Sequence, residues 1–223
     1  MPEASFRYFM LNKIHGMESQ FVSDRPALLL GDVAFDFPPG THAIGRLDKN
    51  SEGILLLTTN KKITSLLFKS KIPHKRNYLV QVKDQVKEEN LKRLQNGVSI
   101  RIAGGEYYLT PSCDVRIVKK PEDLFALPFL FNEYGDTTWL SVTLTEGKYH
   151  QVRKMVFAVG HRCRRLIRLS IEDLLLGDLQ PGCVKEFSEQ DFFRLLKLDR
   201  SSLITKNRFP EIYETGNGTF PAS

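Results

Sequence analysis

Residues 53–58 read Gly-Ile-Leu-Leu-Leu-Thr, and this short run constrains the fold more than any other stretch of the chain. Its aliphatic residues show none of the polar alternation of a half-exposed strand, and the run is short enough for a buried strand. Just before it stands Gly45-Arg46-Leu47-Asp48, an acid between a turn that glycine permits and the edge of the core. A loop carboxylate set by a rigid strand is well placed as a nucleophile or a general base. An Asp48 that only caps a turn, with Lys49, Asn50, Ser51 and Glu52 as solvated loop residues, accounts for the same pattern. Glu52, four positions on, raises the paired carboxylates of a glycosidase. The basic charge of the chain argues against a carbohydrate site, and Glu52 before Gly53 reads more easily as a turn residue.

Around this run the chain mixes strand and helix signals. Residues 6–12 are aromatic and suit a strand; residues 28–40, with Gly31 and Pro38-Pro39-Gly40, read as short helix and turn. Asn60 is placed to cap a helix over 61–69, where Ile63, Leu66 and Leu67 have helical spacing. In residues 76–82 the alternation puts Tyr78, Val80 and Val82 on one face of a strand and Leu79 and Gln81 on the other. A charged helix over 86–96 ends at Gly97. Strands are expected at 109–118 and 138–145, separated by a long loop over 119–136. A helix over 151–159 ends at Gly160, short strands follow at 166–171 and 174–179, and a last amphipathic helix covers 189–198. Without strict strand–helix alternation, the expected class is α+β. Residues 1–198 then form the folded part, and the polar residues 199–223 a tail.

The 223 residues are 41% apolar and 26% charged, the composition of a globular chain. No stretch has the roughly 18–20 consecutive apolar residues of a membrane-spanning helix, and residues 1–6 lack the features of a secretory signal, so the expected compartment is the cytoplasm. Three cysteines, Cys113, Cys163 and Cys183, have no paired short spacing, which argues against a disulfide framework or a zinc knuckle. The net charge of +6 is concentrated: residues 146–168 hold seven basic residues and one acid, and residues 61–76 hold six basic residues and no acid. Two such clusters fit a polyanion partner, and on composition alone they fit two solvated faces equally well.

The second constellation is Glu146-Gly147-Lys148-Tyr149-His150-Gln151-Val152-Arg153-Lys154-Met155, a strand end, a turn and a helix start. Arg153 on the first helical turn can reach back and hold a carboxylate in a charge-assisted pair. Exposed helix charge is the commoner fate of such an arginine, and His150 reads as a hydrogen-bonded turn residue before it reads as a base. With no second His or Cys at ligand spacing, no metal is assigned.

The stretch from Gly45-Arg46-Leu47-Asp48 to Gly53-Ile54-Leu55-Leu56-Leu57-Thr58 closely resembles the catalytic motif of RNA pseudouridine synthases. Three more segments resemble the family's motifs in the same order: Asn12-Lys13 with Gly16, the strand with Lys75, Tyr78 and Val80, and Glu146 to Met155. Arg165-Leu166-Ile167-Arg168 and Leu176-Gly177-Asp178-Leu179-Gln180-Pro181-Gly182 resemble its closing pattern. The likeness spans residues 6–187 and is nearest to the branch that modifies ribosomal RNA. Asn12-Lys13, Ser51-Glu52 and Trp139-Leu140 look most like its short enzymes acting on large-subunit RNA. Ile14 stands where the family usually has proline, and the small amino-terminal RNA-binding domain of many relatives is not seen.

The resemblance implies a mixed, mainly antiparallel sheet with flanking helices, two subdomains around one RNA-binding cleft. It also implies isomerisation of uridine to pseudouridine. Asp48 then matches the catalytic aspartate, Tyr78 the tyrosine that stacks on the flipped uracil, and Arg153 the arginine that pairs with the aspartate. The reaction is redox-neutral, and no cofactor is implied. The expected RNA contacts are Arg46, Lys61, Lys62, Lys75, Arg76, Lys148, Gln151, Lys154, Arg162, Arg164, Arg165 and Arg168, which can offset the cost of taking a base out of its stack. Ribosomal RNA is the expected partner, with no membrane and no obligate protein partner. Small-subunit or transfer RNA substrates, a non-catalytic RNA-binding protein on the same fold, and a nucleosidase that releases uracil are the alternatives.

Overall fold

A computed structural model describes residues 6–68, 73–126 and 135–199. The first half of the chain forms β1 (Tyr8–Lys13), β2 (His42–Ala43), β3 (Glu52–Thr58), α1 (Ile63–Phe68), β4 (Arg76–Lys83), α2 (Glu88–Asn96), β5 (Ser99–Arg101), β6 (Tyr107–Leu109) and β7 (Asp114–Val118). The second half adds β8 (Thr137–Leu144), α3 (Gln151–Ala158), β9 (Cys163–Ile171), β10 (Leu174–Leu175), β11 (Val184–Phe187) and α4 (Glu189–Leu195). One nine-stranded mixed sheet runs in the order β11-β1-β3-β9-β4-β8-β7, with β2 beside β3 and β10 beside β9; β5 and β6 make a separate hairpin. The class is α+β, as the unalternating strand and helix signals require.

The aliphatic run is β3, and all seven of its residues are buried. It lies inside the sheet, antiparallel to β1 on one side and parallel to β9 on the other. The β3–β9 contact is short, Glu52 opposite Ile167 and Gly53 opposite Arg168, and this is where the two halves of the sheet meet. Gly53 has φ of +93°, and a Cβ there would collide with the Arg168 carbonyl oxygen, so only glycine fits this approach.

The sheet separates two apolar clusters. On the front, Tyr78, Val80 and Val82 pack with Leu55 and Leu57, while Leu79 joins Ile54, Leu56 and Ile167 on the rear. This is the division read from the alternation of β4. The front is closed by α3, whose Val152, Met155 and Val156 are buried, each side chain contributing about 1.5–3 kcal/mol by leaving water. The rear is closed by α1 and α4; Phe192 and Phe193 pack against the Tyr8 ring at centroid distances of 4.8 and 5.9 Å.

Several expectations need correction. The strand expected at 109–118 is two strands in two sheets, because Pro111 has no N–H for a ladder and the chain turns there. Only Leu174–Leu175 of the expected 174–179 strand pairs, and β11 was not anticipated. Glu52 opens β3 and is no turn residue. The expected tail lies, from residue 200 onward, outside the described residues, as do residues 127–134 of the long loop and residues 69–72 with Lys69 and Lys71. Among the described residues, no helix is long and apolar enough to cross a membrane.

Candidate active site

Asp48 ends the segment that leads into β3, and its carbonyl accepts from the Ser51 N–H at 2.9 Å in a tight turn. Three neighbours hold this turn from behind. Ser19 Oγ donates to the Leu47 carbonyl at 2.7 Å and accepts from the Leu47 N–H at 3.0 Å. Gly16 N–H donates to the Lys49 carbonyl. The fully buried Lys13 ammonium donates to the carbonyls of Ile14, Met17 and Lys49 at 3.0, 2.7 and 3.1 Å. Burial pulls the Lys13 pKa down to about 7, against the opposing pull of Glu52 and Asp48.

The Asp48 carboxylate is one-quarter exposed and has a nitrogen-bearing side chain facing each oxygen. Arg153 Nε lies 3.6 Å from Oδ2, and His150 Nε2 lies 3.6 Å from Oδ1. Ser51, wholly buried, joins the pair: its Oγ donates toward Asp48 Oδ2 at 3.4 Å and accepts from Arg153 Nη2 at 3.1 Å. Arg153 Nη2 also donates to the Asn50 carbonyl at 2.6 Å, and Nη1 points at Cys163 Sγ, 3.7 Å away. Burial pushes the Cys163 thiol up to about 11, so it is a neutral neighbour and no nucleophile.

In front of the carboxylate is a cleft of about 290 Å³, walled by Asp48, Tyr78, Arg76, Arg168, Leu166 and the loop from Glu146 to His150. Tyr78 is 8% exposed and comes from β4, so a rigid strand fixes its ring beside the acid. A larger hollow of about 830 Å³ opens on the rear of the sheet beside Leu79, Ile167 and Leu175. It lies across the sheet from Asp48, and the surface it exposes is mainly apolar, with Asn12, Asp123 and Gln180 among its polar walls.

The expected RNA contacts divide by location. Arg46 and Lys148 are exposed at the cleft, and Arg76 and Arg168 are buried in its wall, Arg168 donating to the Ile54 carbonyl at 2.8 Å. Burial lowers the Arg76 pKa. Gln151 is buried too, bonded to Glu146 and to the Lys148 N–H. Lys154 lies beside Tyr149, Lys75 lines a small hollow with Glu146, and Arg162 is exposed. Arg164 is half-buried, and its Nε has no hydrogen-bond partner among the described residues. Lys61 and Lys62 precede α1, which packs on the rear cluster, so they do not border the cleft.

Arg165 requires correction. Its guanidinium is buried and bidentate on Glu52, at 2.8 and 2.7 Å, with a third bond to the Phe125 carbonyl at 2.8 Å. Those bonds commit it within the protein. Ser51, named in the sequence only as a loop residue and in the branch likeness, is buried against Asp48 and Arg153, its signal a hydroxyl three residues after an acid in a turn, and His150, read as a turn residue before a base, faces the Asp48 carboxylate.

The family model described as RNA pseudouridylate synthase matches residues 7–158. A Vibrio parahaemolyticus protein named ribosomal large subunit pseudouridine synthase E is 33% identical over 182 residues, 81% of this chain and 73% of that protein. A protein of the same name from Xanthomonas axonopodis pv. citri is 35% identical over 177 residues, 77% of this chain and 89% of its own. Among solved structures, a pseudouridylate synthase crystal structure superposes with a TM-score of 0.69 at 27% identity, covering 86% of this chain and 74% of that one. With motif, fold and relatives in agreement, the chain belongs to the RNA pseudouridylate synthase family and is an RNA pseudouridine synthase.

Proposed function

We propose that the chain converts a specific uridine of large-subunit ribosomal RNA to pseudouridine, with Asp48 as the group that attacks the flipped nucleotide. The observation that carries this reading is the Asp48 carboxylate in the cleft wall, flanked by Arg153 and His150, with the Tyr78 ring on the adjoining strand. The reaction rearranges one nucleotide: the bond from the sugar to N1 of uracil breaks, the base turns, and the sugar joins C5. The C5 proton leaves, N1 gains one, and no electrons are exchanged.

Each side chain has a part in those steps. Asp48 assists cleavage of the base–sugar bond, and Tyr78 offers a flat apolar surface on which the freed uracil can turn without escaping. Arg153 orients the carboxylate and balances its charge at 3.6 Å, a distance that leaves the oxygens open to substrate. Arg46 and Lys148 at the mouth, with Lys154, Arg162 and Arg164 nearby in sequence, supply phosphate contacts that offset unstacking. The large-subunit assignment is supported by the names of the relatives and by the Asn12-Lys13, Ser51-Glu52 and Trp139-Leu140 details.

The test is to incubate the purified protein with transfer RNA, free small- and large-subunit RNA and intact ribosomes, then map pseudouridine in each. Modification of free large-subunit RNA is expected. Modification confined to transfer RNA would overturn the large-subunit assignment, and release of free uracil would overturn the isomerase chemistry.

A further inference from the structure

We propose that the stacked rings of Tyr149 and His150 form a subsite for the base of a nucleotide adjacent to the target uridine, separate from the contact that Tyr78 makes with the target itself. The inference rests on the chain being an RNA pseudouridine synthase, whichever RNA it modifies.

Tyr149 has no evident structural duty. It is 73% exposed, and among the described residues its hydroxyl has no hydrogen-bond partner. Its ring nonetheless lies stacked on that of His150, the centroids 3.9 Å apart with 18° between the planes. The backbone that brings the rings together is in a disfavoured form, since His150 has φ of +55°, a region that non-glycine residues seldom occupy. The loop beneath them is tied down: Glu146 accepts from Tyr108 Oη at 2.6 Å and from Gln151 Nε2 at 2.5 Å, and Gln151 Oε1 accepts from the Lys148 N–H at 2.8 Å. Exposed aromatic surface on a loop this constrained is preorganised for a flat ligand.

Position identifies the ligand. Tyr149 and His150 line both the 290 Å³ cleft and a second cavity of about 810 Å³, and the two spaces also share Arg46, Leu47 and Asp48. The shared wall adjoins the cleft in which the uridine is proposed to sit, within reach of a flanking nucleotide, and His150 Nε2 is only 3.6 Å from Asp48 Oδ1. Every base has a π-face, so a stacking platform here serves a neighbour of any identity. Lys154 Nζ lies 5.3 Å from the Tyr149 centroid. An incoming base displaces that half-buried lysine's ammonium from the ring, because base–aromatic stacking is the stronger contact, and leaves it free for the adjacent phosphate.

The probe is a synthetic RNA fragment of about 20 nucleotides, on the scale of a stem-loop, around the uridine that the wild-type protein modifies in total RNA from cells lacking it. If that fragment derives from small-subunit or transfer RNA, the large-subunit assignment fails and this test proceeds unchanged. If wild-type protein modifies no RNA, the enzyme reading fails, and this proposal with it. Affinity is measured for wild type, Tyr149→Ala and Tyr149→Phe, on the intact fragment and on fragments abasic at the position before or after the target. Tyr149→Ala is expected to weaken binding about tenfold, the scale of one lost stack, and Tyr149→Phe to stay within about twofold. One of the two abasic fragments should bind wild type about tenfold more weakly yet bind Tyr149→Ala no worse than the intact fragment does. Additive losses with both abasic fragments, or equal losses for Phe and Ala, would overturn the proposal. Because Tyr149 is exposed, neither variant threatens folding.

Discussion

Two carboxylate–guanidinium pairs, four residues apart on the carboxylate side, sit at opposite ends of one turn and are built differently. Glu52 and Arg165 are 10% and 7% exposed, and the pair is bidentate at 2.7 and 2.8 Å with a backbone carbonyl as third acceptor. Asp48 and Arg153 are 25% and 21% exposed and approach only to 3.6 Å, the arginine spending its short bonds on Asn50 and Ser51. A bidentate buried pair satisfies both partners and has nothing left for a ligand. A looser pair keeps the carboxylate oriented while its oxygens face the cleft. The first pair fastens β3 to β9 where the halves of the sheet meet, and the second is the one proposed to serve the substrate.

This contrast can be broken in several ways. The largest effect is expected from Arg165→Ala, which leaves the Glu52 charge buried without its partner and should lower unfolding free energy by about 3–5 kcal/mol. Urea unfolding measures it, and a loss below about 1 kcal/mol would make the pair no more than a surface contact. Arg153→Ala should lower kcat by about a hundredfold with RNA affinity changed less than threefold, on the scale of losing one electrostatic contact in an active site. Arg153→Lys should recover part of the rate, and equal losses in rate and affinity would make Arg153 a phosphate contact.

Lys13, behind the same turn, provides a pH test. The unfolded chain keeps this proton up to the ordinary 10.5, whereas the folded chain releases it near 7. Between those values the unfolded state binds more protons, so wild-type stability should rise with pH, by about 1 kcal/mol from pH 7 to 8. Lys13→Met should abolish that rise; an unchanged slope would show that Lys13 is not its source. The smallest effects belong to the exposed cations. Arg162→Ala and Arg164→Ala should each weaken RNA binding a few fold and reduce the slope of log affinity against log salt by about 1, with kcat retained. A change in kcat instead would move these residues into the site.

The contrast also explains how much was legible in the sequence. The strand of Tyr78, Val80 and Val82 was readable because period-two alternation reports directly which side faces which cluster. That Asp48 and Arg153 pair was expected from the motif resemblance, and the two stand 3.6 Å apart because the turn before β3 faces the first turn of α3. Arg165 was not, since a run of basic residues looks the same whether each faces phosphate or a buried acid more than a hundred positions away. Glu52 was misread for the same reason: its partner is remote, and locally an acid before glycine resembles a turn. The edge strand β11 carries Lys185 and Glu186 between its apolar ends, the charged composition by which edges avoid mispairing and by which they escape notice in a sequence.

On the proposed assignment Asp48 acts on substrate while Glu52 only holds the fold, and a crossed measurement of Asp48→Asn and Glu52→Gln separates the two roles. Each variant is assayed for pseudouridine formation per folded molecule and for unfolding free energy. Asp48→Asn is expected to lose at least a hundredfold in rate, a scale set by removal of a nucleophile, while stability and RNA affinity remain near wild type. Glu52→Gln is expected to lose several kcal/mol of stability, as a broken buried pair does, while its folded fraction keeps most of the rate. Turnover above about a tenth of wild type in Asp48→Asn, or a Glu52→Gln protein that is stable but inactive, would contradict the account.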